Sequence, residues 1–227
     1  MIELAILDMA GTTIDDRDEV YRVLRESTER HGATYTDEEF QQWMGTEKRW
    51  AIENLLKLGG VDADEILVEQ AWAWFREELR QTYTDTPPTP LAGVEEALRE
   101  LKANGIKIGL TTGFSREIAD LILDSLGWKE GEIIDHIVAG DEVPVGRPEP
   151  FLIQAVMAHL DVHDTAAVVS AGDTASDVES ARRAGVTSIG VLTGHLTRAD
   201  FDALDADLVL GSVADLPSHT VMAREVR

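Results

Sequence analysis

Residues 4–16 read LAILDMAGTTIDD. The apolar run Leu4–Leu7 has the length and content of a short strand buried on both faces. It stops at Asp8, so a lone carboxylate sits at the C-terminal tip. Ala-Gly-Thr-Thr follows, then Asp15 and Asp16. Two residues beyond Asp8 the chain places Ala10, a side chain with no chemistry of its own.

On the C-terminal side of this stretch the pattern is helical from Asp15 to about Asp85. VYRVLRESTERHG (20–32) has apolar residues at helical spacing and ends at Gly32. TDEEFQQWMG (36–45) opens with a capping box, Thr36 and Glu39. EKRWAIENLLKLGG (47–60) stops at a glycine pair, and DEILVEQAWAWFREELRQTY (64–83) is a long amphipathic helix. The Pro-rich TDTPPTPL (84–91) cannot continue it. Beyond this linker helices and strands alternate. Helices are expected over 93–105, 115–127 (capped by Ser115), 149–160 and 176–185. Strands are expected over 106–112, 136–141, 166–173 and 187–194, with an edge strand over 206–212.

Such alternation specifies a parallel sheet covered on both faces. The predicted fold is α/β, a doubly wound, Rossmann-like core made of residues 1–14 and 86–227, with an all-helical cap inserted over 15–85. The insert leaves and returns at the C-terminal end of the first strand, the edge where doubly wound folds hold ligands. It is therefore placed to act as a lid.

Composition narrows the function. The 227 residues are 44% hydrophobic, enough for a sizeable core, and contain no cysteine, which removes disulfides and thiolate metal sites. Lys plus Arg is 20 against 43 Asp plus Glu, a net charge of −23. That charge repels nucleic acid and anionic membranes. No window approaches the ~18–20 apolar residues of a membrane span, and the N-terminus shows no signal-peptide pattern. A soluble, cytoplasmic protein is expected, and an anionic substrate would need a local positive site.

Four strand ends can supply one. The first ends at Asp8, the second in Thr111-Thr112-Gly113, the third leads to Gly146-Arg147-Pro148, and the fourth ends at Asp173 with Asp177 four residues on. In a parallel sheet these ends share one edge. Close carboxylates repel unless a cation neutralises them, and all-oxygen ligation suits Mg²⁺. Asp8 and Asp173, with the Ala10 carbonyl, are the expected ligands. Thr111 offers a hydroxyl, Arg147 a fork of donors, and the backbone at Thr112 and Gly113 amide donors for a phosphoryl group. A free Asp8 carboxylate could then attack phosphorus. Each element alone has an ordinary explanation: an Asp after a strand is usually a turn residue, Thr-Thr-Gly a turn, and Gly-Asp-x-x-x-Asp a helix cap with its first-turn acid. Their order at consecutive strand ends carries the signal.

DMAGT, TTG, GRP and GDTASD resemble the four ordered motifs of the haloacid dehalogenase superfamily of aspartyl-nucleophile hydrolases, and the insert resembles that superfamily's helical cap. Phosphatases of the superfamily usually carry a second Asp, a general acid for a leaving oxygen, where this chain has Ala10. The substitution is similar to the phosphonatase (phosphonoacetaldehyde hydrolase) branch, as are Val-Pro-Val-Gly-Arg-Pro (143–148) and Gly-Asp-Thr-x-Ser-Asp (172–177). The resemblance implies cleavage of a carbon–phosphorus bond, with Mg²⁺ and with Asp8, Lys48, Thr111, Arg147 and Asp177 as the catalytic set. Lys48, in Met44-Gly45-Thr46-Glu47-Lys48, matches the family's imine-forming lysine. Ala10, Thr12, Met44, Gly45, Thr112, Gly113 and Phe114 are the implied substrate-binding positions, and a homodimer is in keeping with the family. An imine-forming amine needs a lowered pKa, for which Arg49, Trp43 and Trp50 are at hand and Glu47 is a counterweight. Phe114 replaces the family's usual Tyr and Ala51 its cap His, so the substrate is phosphonoacetaldehyde or a related small phosphonate.

Two other functions fit the same residues: a phosphatase for a small phosphoester, and a non-catalytic phosphate-ligand binding protein. By helix statistics alone Lys48 is an ordinary solvated lysine. Trp72, Trp74 and Phe75 read as packing of the long helix. The six histidines show no ligand spacing, and His195, just after a strand end, is the one placed to approach the site.

Overall fold

The computed structural model describes residues 1–223. Its centre is a six-stranded parallel sheet in the order β5-β4-β1-β6-β7-β8. The strands are β1 (Leu4–Asp8), β4 (Lys107–Thr111), β5 (His136–Val138), β6 (Val168–Gly172), β7 (Thr187–Val191) and β8 (Leu208–Leu210). The chain winds outward from β1 in both directions, so the topological switch lies between β1 and β6, where α/β sheets bind ligands.

The apolar run of β1 is continuous because both faces are covered. Leu4 and Ile6 pack with Leu152 and Val156 on one side, while Ala5 and Leu7 pack with Leu98 and Leu110 on the other. Helices α5 (Val94–Ala103), α6 (Arg116–Leu126), α7 (Phe151–His159), α8 (Ala175–Ala184) and α9 (Arg198–Ala203) alternate with the strands as the pattern predicts. Glycines admit close helix approach: a Cβ on Gly109 of β4 would lie 2.3 Å from Val156 Cγ1 of α7.

Four helices intervene after β1: α1 (Glu19–Glu29), α2 (Asp37–Gln41), α3 (Lys48–Leu58) and α4 (Glu65–Asp85). Their faces bury Val23, Leu24, Ile52, Leu55, Phe75 and Leu79 against one another, with α1 packed on α3 and α4. The predicted capping box is present in α2, with Thr36 N donating to Glu39 Oε2 (2.8 Å) and Glu39 N to Thr36 Oγ1 (3.2 Å). Among the described residues no helix is long and apolar enough to cross a membrane.

Several expectations need correction. Helix 36–45 ends at Gln41, because Trp43 and Met44 turn into tighter bonds to Phe40 and Gln41 carbonyls and Gly45 adopts φ +74°. The crossings also hold an element the pattern does not predict: a short antiparallel ribbon, β2 (Ile14–Asp15) with β3 (Thr89–Pro90), ties the way into the four helices to the way out. Arg17 reinforces it by donating to the Thr86 carbonyl at 2.7 Å, and Tyr83 by donating to buried Asp16 at 2.6 Å. Ser115 occupies the N-cap position of α6 but its hydroxyl caps nothing and has no partner. Asp141 accepts from the Arg116 amide instead, at 2.9 Å. The strand at 136–141 is only three residues long and passes into a 3-10 turn at Gly140–Glu142.

Gly109→Val should lower stability by about 1–3 kcal/mol through overpacking between β4 and α7. Urea unfolding should read this as a lower midpoint at unchanged slope.

Candidate active site

Parallel pairing brings the strand tips together. Asp8 is in register with Thr111, and Asp173 follows the last residue of β6, the other neighbour of β1. Arg147 enters from the loop before α7 and is 3% exposed. Its Nη2 donates to Asp8 Oδ1 at 2.6 Å and to Thr111 Oγ1 at 3.1 Å, and its Nη1 lies 2.7 Å from Asp177 Oδ1. Asp177 is also the first-turn acid of α8. Its Oδ2 accepts from the Thr174 amide at 3.1 Å, the reciprocal half of a capping box. The ordinary helix-cap explanation of this motif is thus correct and is joined to a second role, holding Arg147.

Lys48, the first residue of α3, enters from the opposite side and is 4% exposed. Its Nζ donates to the Thr46 carbonyl at 2.9 Å and lies 5.7 Å from the Tyr21 ring centroid. Lys48, Asp8, Ala10, Gly45 and Arg147, with the Thr112-Gly113-Phe114 turn, line one small cavity of about 10 Å³. Val20 and Tyr21 of α1 complete it. A far larger hollow, about 820 Å³, touches Arg147 and its loop but not Asp8 or Lys48.

The electrostatics follow from burial. Desolvation pushes the Asp8 carboxyl up to about 6, with Arg147 opposing and Asp177 adding to the rise. Asp173 is pushed well above the carboxylate range by burial and by repulsion from Asp8 and Asp177. Burial lowers the Lys48 amine to about 8, against the attraction of Asp8 and with help from Arg147. Arg147 remains charged, because Asp177 and Asp8 outweigh its own burial.

Ligand oxygens of Asp8, Asp173 and Asp177 lie within 4.8 Å of one another. Both oxygens of Asp177 are engaged, by Arg147 and by Thr174. Arg147 and Thr12 occupy only Oδ1 of Asp8 and of Asp173. Three buried carboxylates whose mutual repulsion raises two of their pKa values are a set that a divalent cation relieves, and their all-oxygen character suits Mg²⁺. The residues therefore fit the expected metal, with Asp8 and Asp173 as the pair free to hold it.

The loop from Met44 to Glu47 is seated on the strand ends by close backbone contact. A Cβ on Gly45 would lie 2.2 Å from Thr174 Oγ1, one on Gly113 would lie 2.6 Å from the Thr46 carbonyl oxygen, and one on Gly146 would lie 2.8 Å from Glu47 Cβ. Ser176 Oγ donates to the Met44 carbonyl at 3.3 Å and Arg147 Nη1 to the Gly45 carbonyl at 3.4 Å.

Not every predicted neighbour lies where the sequence put it. Thr12 does not line the cavity, since its hydroxyl donates to Asp173 Oδ1 at 2.8 Å. Met44 lines an adjoining groove. The Thr112 amide is taken by the Val138 carbonyl at 3.3 Å and is not available to a phosphoryl group. Arg49 faces Glu65 and Glu69, so Arg147 is the cation beside Lys48. Trp50 is 45% exposed and stacks edge-on with Trp43, leaving the Lys48 stem to be covered by Tyr21 and the motif turns. The Glu47 carboxylate accepts from the Arg49 and Trp50 amides as the cap of α3, and it still favours the charged Lys48. His195 bonds Asp18 at 2.9 Å and lines a side cavity with Asp173. Tyr21, Ser176 and Thr174 were not foreseen. Tyr21 occupies an apolar position of an amphipathic helix, and nothing in spacing distinguishes it from core.

Comparison with known proteins identifies the family. The family profile described as Haloacid dehalogenase-like hydrolase matches residues 5–191. The chain is 30% identical over 220 residues to phosphonoacetaldehyde hydrolase of Bacillus cereus (strain G9842), covering 90% of this chain and 83% of the relative. It is 30% identical over 241 residues to phosphonoacetaldehyde hydrolase of Bacteroides fragilis (strain YCH46), covering 98% and 89%. A crystal structure of a phosphonoacetaldehyde hydrolase like protein from Oleispira antarctica superposes with a TM-score of 0.79 at 25% identity, over 99% of this chain and 95% of that one. With the ordered strand-end motifs, the doubly wound sheet and these relatives in agreement, the chain belongs to the haloacid dehalogenase-like hydrolase family.

Proposed function

We propose that this hydrolase cleaves the carbon–phosphorus bond of phosphonoacetaldehyde, or of a closely related small phosphonate, with Asp8 as nucleophile and an imine on Lys48. The observation that carries this reading is the Lys48 amine, buried in the same cavity as Asp8, where Ala10 supplies no acid for a leaving oxygen. The relatives named phosphonoacetaldehyde hydrolase support it.

The residues divide the work as follows. The neutral Lys48 amine attacks the aldehyde carbon, a C–N bond forms, the C–O bond breaks, and the oxygen leaves as water carrying one proton from the amine and one from solvent, the latter returned when the second water frees the amine. The resulting protonated imine is an electron sink. Asp8 attacks phosphorus, an O–P bond forms, and the C–P bond breaks with its electron pair passing into a Lys48-bound enamine. Water then hydrolyses the aspartyl-phosphate to release phosphate and restore Asp8. The enamine takes a proton on carbon, and a second water releases acetaldehyde and the free amine. Arg147 holds Asp8 in position and offers its donors to the phosphoryl oxygens. When bound by Asp8 and Asp173, Mg²⁺ supplies charge that offsets repulsion between the nucleophile and the phosphoryl group.

Borohydride added together with phosphonoacetaldehyde should inactivate the enzyme and leave a reduced two-carbon adduct on Lys48, read by peptide mass. Lys48→Met should lower phosphate release by at least ~10³-fold, the scale of losing a covalent catalyst. Turnover of ordinary phosphoesters with no response to borohydride would instead favour a phosphatase.

The pH profile has a fixed sign. The amine held at about 8 is protonated below that pH, so kcat/KM should rise about tenfold per pH unit up to about 8 and level off above it. A profile flat from pH 6 to 9 would remove the amine from the mechanism.

Asp173→Asn should raise the Mg²⁺ concentration needed for half-maximal activity by roughly tenfold or more, the scale seen when a metal's surroundings are disturbed. A titration of activity against added Mg²⁺ checks it.

A further inference from the structure

Tyr21 is a large side chain of the buried site to which no step above gives a role. It belongs to the first turn of α1, is 9% exposed, and is held edge-on by Phe40 at 6.4 Å and His195 at 6.2 Å between ring centroids. It borders three separate hollows. One is the small cavity with Asp8 and Lys48, about 10 Å³. The second, about 150 Å³, is lined by Asp173 and His195, and the third is a groove of about 500 Å³ lined by Phe40 and Met44. The ring is thus a shared wall: outside it lies space, and inside it lies about the volume that one water requires, roughly 10–15 Å³.

The distance from the amine to this wall sets a length. Lys48 Nζ is 5.7 Å from the ring centroid. A carbon joined to Nζ by a bond of about 1.45 Å would stand about 4 Å from the ring, at the usual contact distance of about 3.5–4.0 Å. A further carbon in the same direction would overlap the ring. On the reading that Lys48 forms an imine, we infer that Tyr21 is a specificity-determining residue: its ring ends the substrate at the carbonyl carbon, admitting an aldehyde hydrogen and excluding an alkyl group. The selected class is short 2-oxoalkyl phosphonates that are aldehydes rather than ketones. The work is done by the bulk of the ring and not by its hydroxyl.

Two measurements test this on the full-length protein with Mg²⁺. The first is the ratio of kcat/KM for phosphonoacetaldehyde to that for 2-oxopropylphosphonate. Tyr21→Val and the milder Tyr21→Leu should reduce the ratio at least tenfold, while Tyr21→Phe should leave it within about twofold of wild type. A packing role alone would lower both rates together and leave the ratio unmoved, which would overturn the inference. The second needs no turnover: calorimetric binding of methyl-, ethyl-, propyl- and butylphosphonate. Wild-type affinity should fall at least tenfold from ethyl to butyl, and Tyr21→Val should abolish the fall. A flat series in wild type, or the same fall in Tyr21→Val, would overturn the inference. Absence of phosphate release from phosphonoacetaldehyde by wild type would remove the C–P hydrolase reading and leave the binding series to decide the role of Tyr21.

Discussion

The Arg147 guanidinium is buried against two carboxylates, Asp8 at 2.6 Å and Asp177 at 2.7 Å, and against the Thr111 hydroxyl. Isolated charges in such a place cost several kcal/mol each, and the attraction offsets this only if the geometry is good and the remaining donors are satisfied. Here three different segments satisfy them: the tip of β1, the tip of β4 and the first turn of α8. The guanidinium also reaches the Gly45 carbonyl of the inserted helices at 3.4 Å. One side chain therefore ties together the tips of β1 and β4, the first turn of α8 and the loop at Gly45. It also sets the local charge. The Arg147 contact opposes the rise at Asp8, whereas Asp173, which Arg147 does not touch, is pushed up by burial and by repulsion from Asp8 and Asp177. A divalent cation between Asp8 and Asp173 would relieve that repulsion.

The core and the motif residues were legible because they obey short-range rules. The Leu4–Leu7 run, the helix stops at Gly105, Gly127 and Gly185, and the Thr36 capping box each reflect a local constraint that the chain cannot evade. Parallel pairing then carries Asp8, Thr111 and Asp173 to one edge without any further information. The surroundings of Lys48 were not legible, because they depend on how separate helices turn relative to one another. Arg49 is its neighbour in sequence but points to Glu65 and Glu69, while Tyr21, far from it in sequence, covers its amine. Ser115 shows the same limit from the other side. A serine before a helix is a good cap by type, yet Asp141 from a distant loop holds the amide that its own hydroxyl does not reach.

The seating of residues 44–47 relies on the absence of side chains. Gly45, Gly113 and Gly146 each stand where a Cβ would collide with the opposing segment. Contact between the inserted helices and the sheet edge at this point is main chain on main chain at Gly113 and Thr46, and main chain on the short Thr174 side chain and on Glu47 Cβ at Gly45 and Gly146, within reach of hydrogen bonds from Ser176 and Arg147. Main-chain contact is less tolerant of displacement than contact between flexible side chains. It delivers the Lys48 amine to a defined place, since α3 begins immediately after the seated loop.

The β2–β3 ribbon joins the way into the inserted helices to the way out. Because Ile14 pairs with Pro90 and Asp15 with Thr89, the two crossings form one joint and not two independent tethers. Under the mechanism proposed for Lys48 and Asp8, a single joint would set an order of events: the loop over 44–47 would part from the strand ends about one axis, Lys48 moving with the inserted helices and Asp8 staying on β1. Amine and nucleophile would then meet only once the loop is seated again, away from bulk water.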